Sequence, residues 1–474
     1  PIKEYQELLK QIPNGLLDML ELHSVGPKKV RLFYKELGIT NIDQLKAAIE
    51  AGQIAELPRM GEKSANKILD AIERFQNKPD RFALVETLAA AQAIIKALQA
   101  HPSVTQIDYA GSARRQQVTN GDVDVICATT DPEAITKLFK EQQFIDEIIA
   151  EGPTKISVYL KTGQQADLRI VEPDQFGAAL QYFTGSKAHN VVLRTIAKSQ
   201  GYKINEYGIY KGEELVGSKT EAEIYNTLGL DWVPPELREN TGEIELAREH
   251  KLPDLIKQSD IIADLHMHST YSDGKNSIAE MAAAAEKLGY KHIAITDHSP
   301  SLYIARGVNL EQLKEKQREI AELNKTSKIK ILYGTEVDIM ADGNLDYSDK
   351  VLAEFDLVIA SVHNGLKKDN TDRIIKAIEH PNVHIIGHPS TRMILKRDPS
   401  PNDWPRIFKA AAAHNTILEI NSSPSRLDLE AELIAQAKAH GCIFTINTDA
   451  HHTDQLNFMH LGVGQARRAG LSKE

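Results

Sequence analysis

Two constellations of side chains in this 474-residue chain have the types and spacing to do chemistry. The first lies in GSARRQQVTNGDVDVIC, where Gly111, Ser112, Arg114 and Arg115 precede Asp122 and Asp124 by a short loop. Residues two apart on a strand share one face, so these aspartates point the same way, about 7 Å apart along the strand. Asp167, in the strand-like QADLRIV, is expected to join them from a neighbouring strand. Three carboxylates around one point repel each other unless cations sit there. Hard oxygen ligands suit Mg²⁺ or Mn²⁺ and leave positions for phosphate and water. Such an arrangement supports in-line phosphoryl transfer. Glycine lets backbone approach closely, the Ser112 hydroxyl and N–H can donate to phosphate, and Arg115 can pair with it. Taken singly, DVD reads as a solvated strand edge and GS as an ordinary turn. Their joint spacing is what points to a site.

The second constellation is spread along the C-terminal half. DLHMHSTYSDG carries His266, His268 and Asp273; ITDHS carries His298; GTEVD carries Glu336; SVHN carries His363; GHPS carries His388; NTDAHH carries Asp449 and His451. Each follows an apolar strand-like run, so all can converge at one barrel mouth. A mixed imidazole and carboxylate set suits Mn²⁺, Zn²⁺ or Fe, and nine ligands call for two or three ions. The expected chemistry is phosphoester hydrolysis. A lone histidine at a strand end is usually a satisfied polar residue; recurrence at strand end after strand end argues for ligands. His292, His384 and His440 lack that setting and read as structural, and His452 is left unassigned. Arg392, just after GHPST, is offered as a substrate-phosphate ligand.

The elements that must position these residues are legible from periodicity. Residues 1–80 read as short helices with glycine turns at Gly26 and Gly61, and residues 82–100 as one amphipathic helix. From 103 the pattern turns to strands of a mixed sheet, with helices over 132–141 and 187–200 and a strand pair in GYKINEYGIY. Residues 231–260 are rich in Pro and charge and read as the connection between halves, with the linker proper at 236–260. From 261 strand, loop and helix repeat, with helices over 277–288, 310–324, 371–379, 404–413 and 428–440. That alternation predicts a βα barrel with its site at the strand C-terminal ends.

Composition sets bounds. At 42% hydrophobic and 26% charged the chain has the make-up of an ordinary soluble protein. No apolar run approaches the ~18 residues of a membrane span, and the N-terminus lacks a signal-peptide pattern, so the cytoplasm is the expected compartment. Cys127 and Cys442, the two cysteines, lie in apolar runs and read as buried thiols. The net charge of −10 hides a segment, 175–205, without Asp or Glu that holds Lys187, Arg194, Lys198 and Lys203. Binding responds to that local field rather than to the sum. The chain begins with Pro1, which leaves a longer parent chain open.

The GS turn, the GDVD pair, the later strand Asp and the segment QYFTGSKAHNVVLRTIAKSQGYKINEYGIY together resemble DNA polymerase family X, the group containing DNA polymerase beta. The glycine hairpins at 22–35 and 55–73 resemble helix-hairpin-helix elements. The C-terminal half resembles the PHP (polymerase and histidinol phosphatase) domain, with every ligand position filled. The resemblance implies a multidomain chain: a helix-hairpin-helix region over 1–80, an α/β nucleotidyltransferase palm over 81–175, a thumb over 176–235, a linker, and a distorted βα barrel over 261–474. It implies polymerase catalysis at Asp122, Asp124 and Asp167. It puts Tyr182, Phe183, Gly185 and Ser186 beside the incoming sugar, Asn190 near the base, and Gly121 among the nucleotide contacts. DNA would meet Gly26, Lys28, Lys29, Gly61, Lys63 and Arg194. Primer-template or gapped DNA and dNTP are the expected partners, a monomer the expected state, and 3′–5′ exonuclease action the expected work of the second site, in DNA repair. The match begins after the family's usual first segment, so no lyase lysine is assigned. A second reading is a phosphatase of the histidinol phosphate type with a degenerate upstream half. A third is a non-catalytic DNA-end scaffold.

Overall fold

A computed structural model of the protein describes residues 13, 15–22, 25–77 and 80–473. Parts of the expected 1–80 region (1–12, 14, 23–24, 78–79) and residue 474 lie outside the described residues.

The N-terminal helices form where their caps dictate. Gly26 precedes helix α1 (Pro27–Leu37), whose Pro at the first position has its φ already set and loses no helical N–H. It stops at Gly38, which takes φ 68°. The Asn41 side chain accepts from Gln44 N to start α2 (Ile42–Glu50), and α3 (Glu62–Asn77) follows Gly61. Phe33, Leu45, Ile54, Ile68 and Ile72 are the buried seam among them.

Helix α4 (Leu84–Leu98) begins where Glu86 accepts from the Ala83 N–H at 2.9 Å. It buries Ala91, Ile94 and Leu98 against Val123, Val125 and Cys127. These come from a five-stranded sheet: β1 (Val104–Tyr109), β2 (Asp122–Thr129), β3 (Ile145–Glu151), β4 (Lys155–Leu160) and β5 (Gln165–Val171), in the order β1-β2-β5-β4-β3. Strand β2 runs parallel to β5 and the other pairs are antiparallel. The alternate face, with Ile126, Ala128 and Val171, packs on Phe176, Ala179 and Leu180 of α5 (Phe176–Thr184).

Next come α6 (Lys187–Ser199) and a three-stranded sheet of β6 (Tyr202–Asn205), β7 (Gly208–Lys211) and β8 (Glu214–Gly217). The expected linker over 236–260 is not a free connection. Leu237, Ile244, Ala247 and Leu252 join the core of Leu193, Ile209, Ile224 and Tyr225. Arg238 is fully buried, donating to Val233 O (2.8 Å) and pairing with Glu221 (2.7 Å). Proline and charge mimic a linker here, although Arg238 and Glu243 are spent on the buried partners Glu221 and His189.

The C-terminal half is a barrel of seven parallel strands in chain order: β9 (Ala263–Met267), β10 (His292–Ile295), β11 (Lys330–Asp338), β12 (Leu357–Ser361), β13 (Ile385–Gly387), β14 (Ile417–Asn421) and β15 (Phe444–Asn447). The first and last strands meet through a parallel bridge between Met267 and Ala450 and a bond from His268 N to Ala450 O at 2.8 Å. The expected helices are present; the one read over 428–440 starts later, at Ala431, because Asp428 instead bridges to Asn421. A last helix, α7 (Met459–Arg468), was not anticipated. Its glycines disfavour a helix and are there for contact. A Cβ at Gly462 would lie 2.1 Å from Ser422 Oγ, and one at Gly464 2.5 Å from Gln116 Oε1. Among the described residues no helix is long and apolar enough to cross a membrane.

Candidate active sites

Pairing brings the aspartates together. In the β2–β5 register Asp124 faces Asp167, while Asp122, two residues earlier on β2, falls on the same face. Gly111 packs onto this group: at φ 63°, a Cβ there would lie 2.3 Å from Asp124 Oδ2, so no larger residue fits. Burial, with the Asp122 and Asp167 carboxylates, pushes the Asp124 carboxyl up to about 7. The cations that oppose this are Arg169 and Lys155, the latter ion-paired with Asp167. Three carboxylates on one partly buried face, with Asp124 raised by burial and its two neighbours, fit divalent cations.

The nucleotide-side residues gather at the same place. Arg115 Nη1 donates to Thr184 O at 2.5 Å and lies 3.3 Å from where a Gly185 Cβ would be. The GS turn and the Gly185–Ser186 junction are therefore one surface. Ser112 Oγ donates to Asn120 Oδ1 at 2.7 Å. Ser186 caps α6, accepting from His189 N. The Arg169 guanidinium lies 4.1 Å over the Phe183 ring, whose centroid is 5.1 Å from that of Tyr182. Asn190 Nδ2 donates to Tyr182 O at 2.8 Å and its Oδ1 accepts from Gln181, so it holds the strip in place. Gly121 leads into β2 with open space at its Cα. His189 is buried between Glu243 (2.6 Å) and the Tyr225 hydroxyl (2.9 Å) and is structural. Lys187, Arg194, Lys198 and Lys203 are exposed, as are Gly26, Lys28 and Lys63; Gly61 and Lys29 are partly exposed.

All nine expected barrel ligands converge. His268, Asp273, His298 and His451 form one group whose ligand atoms lie within 4.8 Å of one another; His266, His268 and Asp449 form a second; His298, Glu336 and His363 a third. His388 Nε2 lies 2.9 Å from Glu336 Oε1. Glu336 is central: its other oxygen is 2.8 Å from His298 Nδ1 and 3.5 Å from His266 Nε2. Against the cost of burial, the imidazoles of His298, His266 and His363 hold the Glu336 carboxyl well below its usual range. Burial, with His451 and His298 beside it, drives His268 down to about 3, so it stays a neutral imidazole with a lone pair to give. His266 Nε2 and His268 Nδ1 are buried without a hydrogen-bond partner among the described residues, and His298 Nδ1 and Glu336 Oε2 have none beyond their contact with each other. Buried lone pairs left without hydrogen bonds across these groups are what metal ions satisfy.

Residues behind the ligands escaped sequence reasoning. Glu419 Oε1 holds His266 Nδ1 at 2.7 Å, and Asp338 holds His363 Nδ1 at 2.5 Å. Such partners fix ring orientation and raise ligand basicity. A Glu amid the apolar run ILEIN, and an Asp two after Glu336 on the same strand face, were the available signals. Asp297 accepts from Ser269 N, Ser272 Oγ and the buried Lys316 ammonium (2.8 Å), tying down the loop that carries Asp273. Arg392, expected to meet substrate phosphate, is buried and already engaged, with Nε on Arg426 O (2.7 Å) and Nη1 on Glu430 (2.9 Å). The cation at the rim is Arg426, 3.8 Å from Asp449 and 21% exposed. His384 accepts from Val358 N and His440 bonds within its helix, as structural histidines do; His452 caps the short helix after it. Burial pushes the Cys127 thiol up to about 12 and Cys442 up to about 11, which favours the protonated thiol at both.

A three-carboxylate palm with a thumb, joined to a metal-collecting barrel, defines a polymerase of the beta type with an attached PHP domain. Family profiles agree: DNA polymerase beta thumb over 179–239, PHP domain over 264–423, and SAM-like helix-hairpin-helix tandem over 16–74. The chain is 40% identical, over 98% of its length and 85% of the relative's, to the DNA polymerase/3′-5′ exonuclease PolX of Bacillus subtilis (strain 168), and it belongs to that family. The barrel half is 33% identical to a probable phosphatase of Thermoanaerobacter sp. (strain X514), over 45% of this chain and 89% of that one. A polymerase beta structure from Leishmania infantum, described as a ternary P/T complex, covers 48% of this chain and 98% of its own at 20% identity and TM-score 0.39. Polymerase and PHP domains imply divalent-metal use.

Proposed function

We propose that the chain extends a DNA primer 3′-OH from dNTP at the palm and trims 3′ ends at the barrel, acting on primer-template or gapped DNA in repair, as a cytoplasmic monomer. The observation that carries the first half is the in-register meeting of Asp124 and Asp167 beneath Gly111. Asp122, Asp124 and Asp167 would hold Mg²⁺ or Mn²⁺. When bound, those ions supply positive charge to the attacking hydroxyl and the triphosphate. Ser112 and Arg115 would meet the triphosphate, Tyr182, Phe183, Gly185 and Ser186 border the sugar, and Asn190 keeps that strip rigid beside the base. Gly121 stands at the entry to β2 among the nucleotide contacts. Arg194, exposed on α6, faces the template, and the N-termini of α1 and α3, with Gly26, Lys28, Lys29, Gly61 and Lys63, take backbone phosphates.

At the barrel, His266, His268, Asp273, His298, Glu336, His363, His388, Asp449 and His451 would hold two or three ions of the Mn²⁺, Zn²⁺ or Fe kind. Arg426 at the rim would pair with the scissile phosphate.

Primer extension and degradation on 3′-recessed and gapped DNA test both halves. Asp167→Ala is expected to abolish extension and keep 3′ trimming; His268→Ala is expected to do the reverse. Loss of both activities in either variant would refute two separate sites. Faster hydrolysis of histidinol phosphate than of DNA ends would favour the phosphatase reading.

A further inference from the structure

The barrel reaches the nucleotide side of the palm through α7. Glu239 collects three donors there: Arg115 Nε at 2.9 Å, Gln117 Nε2 at 2.5 Å and Arg468 Nη1 at 3.3 Å. Arg468 Nη1 also donates to the carbonyl of Arg115 itself at 2.8 Å, and Gln465 Nε2 donates to Gln116 O at 2.9 Å. Gly464 lets α7 come this close. Residues 115–117, the end of the GS turn, thus lie against the last helix of the other domain.

The charges at this node settle what the contact does. Arg115 and Arg468 are largely buried, with side chains 14% and 6% exposed. Burial opposes ionisation of Glu239, but Arg115 and the other donors hold its carboxyl below the usual range, so it is an anion. Alone, it would cancel the charge of Arg115. With Arg468 sharing it, the node keeps one net positive charge. The remaining acids near Arg468 change this little: Glu432 is 3.7 Å away but 73% exposed and screened, and Glu236 is taken by Arg467 at 2.6 Å. Arg115 uses Nε on Glu239 and one Nη1 proton on Thr184 O, which leaves the Nη2 edge to offer a phosphate.

We propose that Arg468, a residue of the hydrolase domain, is a positioning residue for the polymerase: it offsets Glu239 and braces the GS turn so that Arg115 presents positive charge to the incoming triphosphate. This rests on the reading of Arg115 as a triphosphate ligand. The test is steady-state primer extension with the intact chain. Arg468→Gln keeps a donor but loses the charge. It is expected to raise the dNTP KM by about fivefold, the size of a coupling between charges that share one network, with kcat nearly unchanged. Arg468→Lys is expected to recover part of the loss. In the Arg468→Gln background, Glu239→Gln should bring KM back down, because removing the anion also leaves Arg115 uncancelled. Retained 3′ trimming in each preparation reports a folded barrel. An unchanged KM in Arg468→Gln, or a Glu239→Gln change that adds to the defect, overturns the proposal. Should Arg468→Gln fail to fold, Glu239→Gln alone decides: KM is expected at or below that of the parent, and a rise overturns the charge argument. Arg115→Gln separates the two readings: if it leaves KM unchanged, Arg115 does not meet the triphosphate; if it raises KM while Arg468→Gln does not, only the role of Arg468 falls.

Discussion

Glu419 touches no expected substrate, yet the barrel site depends on it. It accepts a hydrogen bond from His266 Nδ1 and another from the His388 N–H at 2.7 Å, so it sets two ligand-bearing strands at once. Replacing such a partner typically costs about 10–100-fold in metal affinity or activity. Glu419→Gln should show that loss in a Mn²⁺ titration of 3′ trimming, with primer extension unaffected. Arg426→Ala should raise the KM for DNA ends in the same assay, whereas Arg392→Ala should act mainly by destabilising the loop it ties to Arg426 and Glu430.

Thumb and palm are joined by a buried ionic network. Glu221 accepts both Nη groups of Arg114 at 2.9 Å, Arg238 at 2.7 Å and the Trp232 indole N–H at 3.1 Å. Burial would raise its carboxyl, but Arg238 and Arg114 overcome that and hold it at about 2, against an ordinary 4.5. A folded value below the unfolded one stabilises fully above pH 4.5 and is lost as pH falls toward 2. The difference amounts to about 3 kcal/mol. Trp232 fluorescence should therefore report thumb loosening across that window, and Glu221→Gln should flatten the profile. Glu221→Ala, which strands Arg238 in the interior, should cost about 3–5 kcal/mol in thermal or denaturant unfolding.

Across the molecule, charge is segregated rather than balanced. The net −10 coexists with cations at the α1 and α3 N-termini and along α6. If Lys28 and Lys63 each neutralise a phosphate, changing both to Glu should flatten the log Kd against log salt slope by about 2. A slope that does not change would place DNA elsewhere. Metal removal acts on the other half. With so many ligand lone pairs unsatisfied in the barrel, saturating Mn²⁺ should stabilise it, by about 2.7 kcal/mol per bound ion at a hundredfold excess over Kd, and so raise its melting temperature. A chelator should reverse this.

Local patterns determined much of this protein. Period-two spacing put Asp122 and Asp124 on one face, and apolar runs ending in His, Asp or Glu announced strands whose ends carry ligands. Both readings depend only on where successive side chains point, which is a property of a single element. Partnership between distant elements was decided by the tertiary structure alone. Glu419 looks like any strand residue until β9 brings His266 to it. Residues 236–260 look like a linker until Arg238 finds Glu221. Helix α7 looks too glycine-rich to form until Ser422 and Gln116 press on those glycines. A buried charge, or a glycine in a helix, is costly by itself and is offset only by a neighbour remote in sequence, so no window of sequence shows why it is there.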